Sequence, residues 1–344
     1  MDDGLPGNVD YMKEKILRVL REAGDNFVSG QNLCKSLGVT RQAVWKNITQ
    51  LKENGYEIES VSNKGYRLKA VPDMLFGPDI ESRLPEGCFC RKVICYQSID
   101  STNTRAKQLA EEGEPEGTLV IADEQTGGKG RRGRAWKSEK GIGIFMSLLL
   151  RPTVHPSQAS CLTLVAALAV NQGIRQVCQV ECGIKWPNDI VLNGKKICGI
   201  LTETSSELDY IHYAVIGIGI NANTESFPEE LAQKGTSIYL ETGKKVDRQA
   251  LAASCMEAFS KYYAIYCKTG DLSGLLEEYN QALVNKGRQV QILHGMSEQA
   301  DPDEIETGIA QGIDRHGALL VEKEDGLCQV VSGEVSVRGI YGYI

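Results

Sequence analysis

The feature that most constrains this fold is a break near residue 70, where one residue pattern gives way to another. Ala70-Val71-Pro72-Asp73 interrupts regular structure, because proline lacks a backbone donor and disfavours helix before it. The chain has 344 residues, which at roughly 150 residues per domain allows two to three domains. We therefore expect an N-terminal domain over residues 1–70 and a larger region from residue 71.

Composition excludes several classes of protein. Hydrophobic residues make up 42% and charged residues 24% of the chain, which excludes a largely disordered or collagen-like protein. The longest apolar stretches, 142–150 and 161–170, are shorter than the roughly 20 residues of a membrane-spanning helix, so no membrane partner is predicted. The acidic start MDDGLPGNVD does not resemble a signal peptide, and we expect a cytoplasmic protein.

The cysteines and the net charge narrow the function further. Eleven cysteines in a chain without an export signal favour reduced thiols. Their closest spacings, Cys88-x-Cys90 with Cys95 and Cys178-x3-Cys182, do not give paired CxxC ligand sets, so no metal site is predicted. A net charge of −7 argues against indiscriminate nucleic-acid binding by the whole molecule.

The N-terminal region carries the pattern of three helices followed by a hairpin. Ser29 and Thr40 are placed to cap the second and third helices, and glycines at 24 and 38 end the first two. After Gly55, the segments 56–60 and 65–68 predict two strands joined by a turn, which makes a wing. The inward positions are apolar at helical spacing: Tyr11, Ile16, Val19 and Leu20, then Val44, Ile48 and Leu51.

This winged helix-turn-helix pattern predicts binding to double-stranded DNA. Between residues 31 and 69, seven basic residues outnumber three acidic ones, a local charge of +4. Two alternatives stay open: the three helices form a protein-binding or dimerisation module, and Trp45 belongs to the core. The side chains expected to contact DNA are polar, basic or aromatic and lie on the third helix and the wing: Thr40, Arg41, Gln42, Trp45, Lys46, Thr49, Asn63 and Lys64.

From Cys88 onward, apolar strands alternate with helices, and Asn193-Gly194 is a strong hairpin signal. The pattern predicts an α+β domain whose mixed sheet is backed by helices. The predicted strands are 93–96, 118–123, 144–150, 190–192, 196–204 and 212–220, and the predicted helices are 102–110, 157–176 and 246–269.

The segment QTGGKGRRGRAW, residues 125–136, points to an anionic ligand. Its glycines let the backbone approach a ligand, and Lys129, Arg131, Arg132 and Arg134 place four cations within six residues. The segment matches neither a Walker A loop nor a GxGxxG turn. A solvated basic loop, or an arm that binds nucleic acid, is the alternative for this segment taken alone.

Together with four other motifs, this loop resembles the biotin protein ligases. With the winged helix in front, the chain resembles the bifunctional bacterial members that also repress the biotin operon. One departure is Lys129, where the family's loop usually has arginine, so a bidentate contact is lost there. The matching motifs occur in the family's order: Ser101-Thr102-Asn103, GKGRRGRAW at 128–136, KWPND at 185–189, KICGIL at 196–201 and GIGIN at 217–221.

The resemblance implies an enzyme that uses ATP and Mg²⁺ to convert biotin to biotinyl-5′-AMP and then passes the biotinyl group to a lysine of the biotin carboxyl carrier protein. It also implies a catalytic domain of the class II aminoacyl-tRNA synthetase type over 71–284 and an SH3-like β-barrel over 285–344. The adenylate would act as corepressor, favouring a homodimer that binds operator DNA.

The resemblance also implies roles for individual residues. Lys185, Lys196, Arg131 and Asp189 would be catalytic, although the carboxylate of Asp189 beside a lysine is also explained by a structural ion pair. ATP would contact Lys185, Asn188, Asn221 and Arg338, for which a plain surface arginine is the alternative. Biotin would contact Ser101, Thr102, Asn103, Gln125, Lys129, Gly130, Arg131, Lys196 and Gly199.

Other function classes stay open on the sequence alone. The chain is alternatively a ligand-sensing repressor without ligase activity, a lipoyl-type ligase that shares the fold, or a ligase whose winged helix has no operator. The three retained cations at 131, 185 and 196 speak against loss of catalysis, and the basic loop with Ser101-Thr102-Asn103 speaks for biotin.

Overall fold

The computed structural model describes residues 6–293, 305–332 and 336–339. These residues form a small N-terminal domain of three helices and a β-hairpin, a mixed sheet covered by helices, and a C-terminal antiparallel sheet. The predicted α+β class is confirmed. The N-terminal elements are α1 (Pro6–Glu22), α2 (Gly30–Leu37), α3 (Arg41–Glu53), β1 (Glu57–Val61) and β2 (Gly65–Ala70).

The N-terminal domain forms as its pattern predicts. The side chains of Ser29 and Thr40 accept hydrogen bonds from backbone N–H groups in the first turns of α2 and α3. Gly65 has a φ of +108°, and a Cβ there would meet the carbonyl oxygen of Val28 at 2.0 Å, so only glycine fits this turn. The prediction for Tyr11 is wrong: its side chain is 52% exposed because it lies beyond the turn that contacts α2 and α3.

The central sheet has seven strands in the order β3-β4-β5-β9-β8-β7-β6. Strands β3 and β4 pair in parallel and the other neighbours pair antiparallel, so the predicted mixed sheet is confirmed. Strand β6 was not predicted because three residues are too few to show a period. The strands are β3 (Lys92–Tyr96), β4 (Thr118–Ala122), β5 (Ile144–Leu150), β6 (Gly183–Lys185), β7 (Asp189–Leu192), β8 (Lys195–Ser206) and β9 (Ile211–Ile220).

Helices cover both faces of this sheet. Adjacent residues of β4 point in opposite directions: Leu119 joins the large cluster under α6 and α9, whereas Val120 packs with α5. A 3₁₀ turn at 156–158 precedes α6, so that helix starts two residues later than predicted. The helices are α4 (Gly77–Arg83), α5 (Thr102–Glu111), α6 (Ala159–Cys178), α7 (Glu229–Ala232), α8 (Ile238–Thr242), α9 (Arg248–Thr269) and α10 (Leu276–Ala282).

Among the residues that the structure describes, one helix is long and apolar enough to cross a membrane by length and composition alone. It comprises α6 and the turn before it, Pro156–Cys178, and 61% of its most apolar window is buried inside the protein. Helix α6 packs against α9 and the central sheet, and a core helix of a globular protein has the same composition.

The C-terminal part is a five-stranded antiparallel sheet in the order β13-β12-β11-β10-β14. Its buried residues, including Val290 and Leu319, belong to the same hydrophobic cluster as the central sheet, whereas the N-terminal domain has a cluster of its own. The eleven cysteines are free thiols. The strands are β10 (Gln289–Leu293), β11 (Ile305–Ile313), β12 (Leu319–Lys323), β13 (Gly326–Val330) and β14 (Ser336–Gly339).

Candidate active site

A cavity of about 660 Å³ opens on the central sheet, a volume in the range of small-molecule sites. Its walls come from the start of α5, the basic loop, the β6–β7 turn, strands β5, β8 and β9, and the segment before and within α7. The structure brings together here nearly all the residues predicted to bind biotin or ATP: Ser101, Thr102, Asn103, Gln125, Lys129, Gly130, Arg131, Lys185, Asn188, Asp189, Lys196, Gly199 and Asn221.

The floor of the cavity is formed by the first turn of α5. Ser101 caps this helix by accepting a 3.4 Å hydrogen bond from the backbone N–H of Thr104, and Thr102 and Asn103 are 3% and 8% exposed. Behind them, Ser147 of β5 is fully buried, with its Oγ 2.7 Å from Thr102 Oγ1 and 2.5 Å from Asn103 Oδ1. Sequence reasoning missed Ser147, although a single serine in the apolar strand IFMSLLL is a signal.

Gln125 joins the floor to the basic loop. Its Oε1 accepts from the backbone N–H of Thr102 at 2.8 Å and lies 3.0 Å from Thr102 Oγ1. Its Nε2 donates to Ser138 Oγ at 3.0 Å. Thr102, Asn103 and Gln125, which were predicted to bind the polar end of biotin, therefore form one hydrogen-bond network through Ser147.

The two glycines of the GIGIN motif make room for the side chains of Asn103 and Trp136. A Cβ at Gly217 would lie 2.1 Å from Asn103 Oδ1, and one at Gly219 would lie 2.6 Å from Trp136 Nε1. Real Cβ contacts are not this short, so each glycine allows a neighbouring side chain to lie directly on the sheet. The small residues of this strand thus serve the cavity as well as packing.

The basic loop folds back on itself. Lys129 and Ala135 form an isolated antiparallel bridge, and between them Arg132 has a φ of +59°. Arg131 turns into the cavity, where its Nη1 donates to Asn188 Oδ1 at 2.9 Å. Burial lowers the pKa of Arg131, against the opposing effect of Asp189. Lys129 is exposed at the rim.

Trp136, which received no role from the sequence, closes the loop over the sheet. Its indole packs on Gly199 and Gly219, and its Nε1 is buried without a hydrogen-bond partner in the described residues. The Lys196 ammonium lies 5.2 Å from its ring centroid, within range of a cation–π interaction. The position of Trp136 inside the GKGRRGRAW motif was the available signal.

Two lysines and one carboxylate meet at the β6–β7 turn. Lys196 Nζ lies 2.5 Å from Asp189 Oδ1, and Lys185 is only 6% exposed. Asn188 donates from Nδ2 to the carbonyl oxygen of Ile200 at 3.1 Å, which fixes the turn on β8. Trp186 is buried and donates from its indole Nε1 to the carbonyl oxygen of Gly317, so it packs in the core.

In the far wall of the cavity the sequence analysis predicted Asn221 but none of its neighbours. Asn221 donates from Nδ2 to the carbonyl oxygen of Thr236 at 3.0 Å, and the apolar side chains of Phe227, Pro228 and Leu231 line the cavity beside it. No motif marks this segment. For Arg338, the backbone lies in β14 opposite Gln291, and its side chain is outside the described residues.

The predicted DNA-contacting residues lie together on the N-terminal domain. Arg41, Gln42 and Lys46 are exposed on α3, and Asn63 and Lys64 are exposed in the turn of the wing. Trp45 is 61% exposed, so the alternative that placed it in the core is wrong, because its helix position faces away from Val44 and Ile48. Thr40 is exposed and caps α3, whereas Thr49 donates to the carbonyl oxygen of Trp45.

Within the described residues, no group of three or more histidine, cysteine, aspartate or glutamate side chains is arranged to hold a metal ion. The cavity presents mainly cations, with carboxylates at Asp189 and Glu139. A divalent cation would therefore be held chiefly by the phosphates of a bound nucleotide, as Mg²⁺ commonly is.

Comparison with known proteins assigns this architecture to a family. The model of the biotin/lipoate A/B protein ligase family matches residues 95–221, an HTH domain model matches 13–67, and the biotin protein ligase C-terminal domain matches 299–338. The bifunctional ligase/repressor BirA of Bacillus spizizenii is 39% identical over 95% of this chain and 98% of its own length. The chain belongs to the bifunctional biotin ligase/repressor family.

More distant members agree with this assignment. The BirA protein of Escherichia coli is 31% identical over 92% of this chain and 94% of its own length. A solved biotin protein ligase from Aquifex aeolicus, in complex with biotin and ATP, matches with a TM-score of 0.62 and 30% identity, covering 72% of this chain and 98% of that one. The resemblance inferred from the sequence motifs is confirmed.

Proposed function

We propose that this chain forms biotinyl-5′-AMP from biotin and ATP, transfers the biotinyl group to a lysine of the biotin carboxyl carrier protein, and represses transcription in response to biotin. One observation carries the proposal: a single cavity joins a floor rich in hydrogen-bond acceptors to a wall that holds Arg131, Lys185 and Lys196. A neutral cyclic urea suits the first, and a carboxylate beside nucleotide phosphates suits the second.

In the first step, a carboxylate oxygen of biotin attacks the α-phosphorus of ATP and pyrophosphate leaves. Negative charge grows on the phosphoryl oxygens, so fixed cations stabilise the transition state. Arg131 is held by its bond to Asn188, and Lys196 is held by Asp189. We assign these two residues, with Lys129, Gly130 and Gly199, to the acyl phosphate, and Lys185, Asn188, Asn221 and Arg338 to the nucleotide.

Mg²⁺ bound to the phosphates of ATP would neutralise part of their charge. In the second step, the amine of the acceptor lysine attacks the acyl carbon, AMP leaves, and the amine loses a proton. Asp189 is the carboxylate beside the proposed acyl phosphate, and we assign it to orient that amine. To accept its proton Asp189 would have to weaken its ion pair with Lys196.

The domains that the sequence predicts are part of this proposal. We assign residues 1–70 to DNA binding, 71–284 to a catalytic domain of the class II synthetase type and 285–344 to an SH3-like barrel. The adenylate acts as corepressor by favouring a homodimer whose two recognition helices bind a two-fold operator. Both the operator and the carrier protein place the chain in the cytoplasm, where its free thiols would stay reduced.

The test is to incubate the purified chain with biotin, ATP and Mg²⁺ and to identify the retained small molecule by mass spectrometry after denaturation. Retained biotinyl-5′-AMP, followed by an added biotinyl mass on a carrier domain, is the expected result. Bound biotin without adenylate would favour a sensor repressor without ligase activity. Adenylated lipoate in place of biotin would favour a lipoyl-type ligase, and loss of all retention would overturn the proposal.

A further inference from the structure

The two amide side chains of the cavity floor are held in defined orientations by different partners. For Gln125 the partner is the backbone N–H of Thr102, which donates to Oε1 at 2.8 Å. Turning the amide over would place its NH₂ group against this N–H, two donors face to face. The Oε1 atom of Gln125 therefore has to face Thr102.

For Asn103 the partner is a carboxylate behind the cavity. Asn103 Nδ2 donates to Glu203 Oε2 at 2.7 Å, and Lys107 Nζ lies 2.8 Å from Glu203 Oε1. Turning this amide over would bring its carbonyl oxygen against a carboxylate oxygen, and both are acceptors. Partial burial acts to raise the pKa of Glu203, but the bonds from Lys107 and Asn103 outweigh it and lower that pKa, so the carboxylate is charged at neutral pH.

With both amides fixed, the hydrogens of the floor can be counted. Three short O···O contacts run in series: Asn103 Oδ1 to Ser147 Oγ at 2.5 Å, Ser147 Oγ to Thr102 Oγ1 at 2.7 Å, and Thr102 Oγ1 to Gln125 Oε1 at 3.0 Å. The two end atoms are amide oxygens, which only accept, and the two hydroxyls supply one hydrogen each. Three contacts share two hydrogens, so the floor is short of one donor.

We propose that Glu203 is a positioning residue that sets ligand specificity: by holding the Asn103 amide with its oxygen toward Ser147, it keeps the cavity floor deficient in hydrogen and selective for a ligand that brings N–H donors. This inference rests on the proposed function and deepens it. A cyclic urea carries two N–H groups next to each other and meets the deficit. A dithiolane ring carries none and leaves this deficit in place.

Unpaired buried acceptors are costly, and a site built to bond a substrate N–H rejects analogues that lack it by large factors. Glu203 lies behind the lining residues and acts through Asn103. Its loss should therefore change the affinity for biotin and not the affinity for ATP. Gly217 makes room for the Asn103 amide in this position, since a Cβ there would lie 2.1 Å from Asn103 Oδ1.

The experiment measures biotin and ATP dissociation constants by calorimetry for the full chain and three variants. Glu203→Met removes the acceptor and should weaken biotin binding roughly tenfold. Glu203→Gln keeps one acceptor and should weaken it less. Lys107→Met, the matched control, removes the ion pair but leaves the carboxylate on Asn103, and should change biotin binding by less than about twofold. ATP binding should be unchanged in all three.

Other outcomes of this experiment would overturn the proposed role of Glu203. Unchanged biotin affinity in Glu203→Met, or equal losses in Glu203→Met and Lys107→Met, would overturn the role of Glu203 while leaving the ligase function standing. A wild-type chain that does not bind biotin would overturn both. If Glu203→Met fails to fold, ¹⁵N NMR of the wild-type Asn103 side chain decides: one amide proton shifted strongly downfield by the carboxylate is expected, and both protons at the shifts usual for an asparagine side chain would overturn the orientation.

Discussion

The ammonium group of Lys196 lies 5.2 Å from the centroid of the Trp136 ring. The same ammonium lies 2.5 Å from Asp189 Oδ1, so one cation ties the basic loop to the β6–β7 turn. Strand β8 supplies Lys196, the basic loop supplies Trp136, and Asp189 begins β7. A charge held from two sides is preorganised for a phosphoryl group.

Replacing Lys196 should therefore impair the activating step strongly. Lys196→Gln removes the charge and leaves Asp189 on the cavity wall without its cation, and we expect adenylate formation to fall about a hundredfold. Pyrophosphate exchange at saturating biotin and ATP measures this step. Lys195→Gln, one position earlier on β8 and outside the cavity, is the control and should retain activity. Equal activity of both variants would contradict the assignment of Lys196.

A second prediction concerns the space beneath Trp136. A Cβ at Gly219 would meet Trp136 Nε1 at 2.6 Å, so Gly219→Ala should lift the indole from the sheet and raise the KM values for biotin and ATP. If the clash is the cause, Trp136→Ala should relieve it. The loss of kcat/KM in the double variant, expressed as activation free energy, should then be smaller than the sum of the losses in the two single variants. Strictly additive losses in activation free energy would show that the two residues act independently.

A third prediction concerns Arg248, which joins the linker to the central sheet. Its buried guanidinium bonds Asp73 at 2.8 Å and Asp123 at 2.6 Å. Arg248→Met would leave Asp123, 16% exposed, without a cation, and we expect a loss of about 3–5 kcal/mol in the free energy of unfolding. Asp73→Asn breaks only the exposed pair and should cost less than about 1 kcal/mol. Urea unfolding measures the free energy of unfolding of both variants. Equal losses of that free energy would contradict the larger contribution of the Arg248–Asp123 pair.

Local rules predicted much of this fold and of this site. Ser29 and Thr40 cap their helices because the chemistry of a cap lies within four residues. Asn193 and Gly194 both have positive φ and join β7 to β8, as their dipeptide predicts. The motifs converge on one cavity because each lies within or directly beside a strand of the same sheet.

What the sequence could not supply depends on contacts between distant segments. Ser147 and Glu203 belong to the floor only because β5 and α5, and α5 and β8, meet across 44 and 100 residues. Likewise, Arg21 of α1 bonds Asp79 of α4 at 2.6 Å, which joins the N-terminal domain to the region beyond the linker. No spacing or period encodes such pairs, since they arise only after the chain has packed.

A fourth prediction follows from the buried thiols. Burial raises the pKa of Cys182 from 9.0 to about 12, so the folded chain keeps this proton at a pH where the unfolded chain has lost it. The contribution of Cys182 to stability should therefore be constant below about pH 9 and fall as the pH rises further, by up to about 1.4 kcal/mol per pH unit. Urea unfolding at pH 8, 9 and 10 measures the slope.

The matched variant isolates the contribution of this thiol. Cys182→Ala removes the titrating group, and its packing cost is the same at every pH. The difference in stability between variant and wild type should therefore shrink from pH 8 to pH 10. A constant difference would show that the thiol does not contribute to the alkaline loss.

The last prediction tests the exposed face of α3. Lys46 and Lys64 are exposed on the recognition helix and the wing, whereas Arg67 is held by Glu59 at 2.6 Å and stacks on Phe27. The cations available to DNA phosphates are therefore fewer than the sequence count of seven. Each phosphate contact contributes about one unit to the slope of log affinity against log salt concentration.

Lys46→Gln and Lys64→Gln should each reduce that slope by about one and weaken binding to a mixed-sequence duplex uniformly. Fluorescence anisotropy of a labelled duplex over a range of salt concentrations measures it. Lys268→Gln removes the same charge from the exposed end of α9 and should leave the slope unchanged, because that lysine lies in the central region. An equal change for Lys268→Gln would mean that net charge, and not the face of α3, governs the binding.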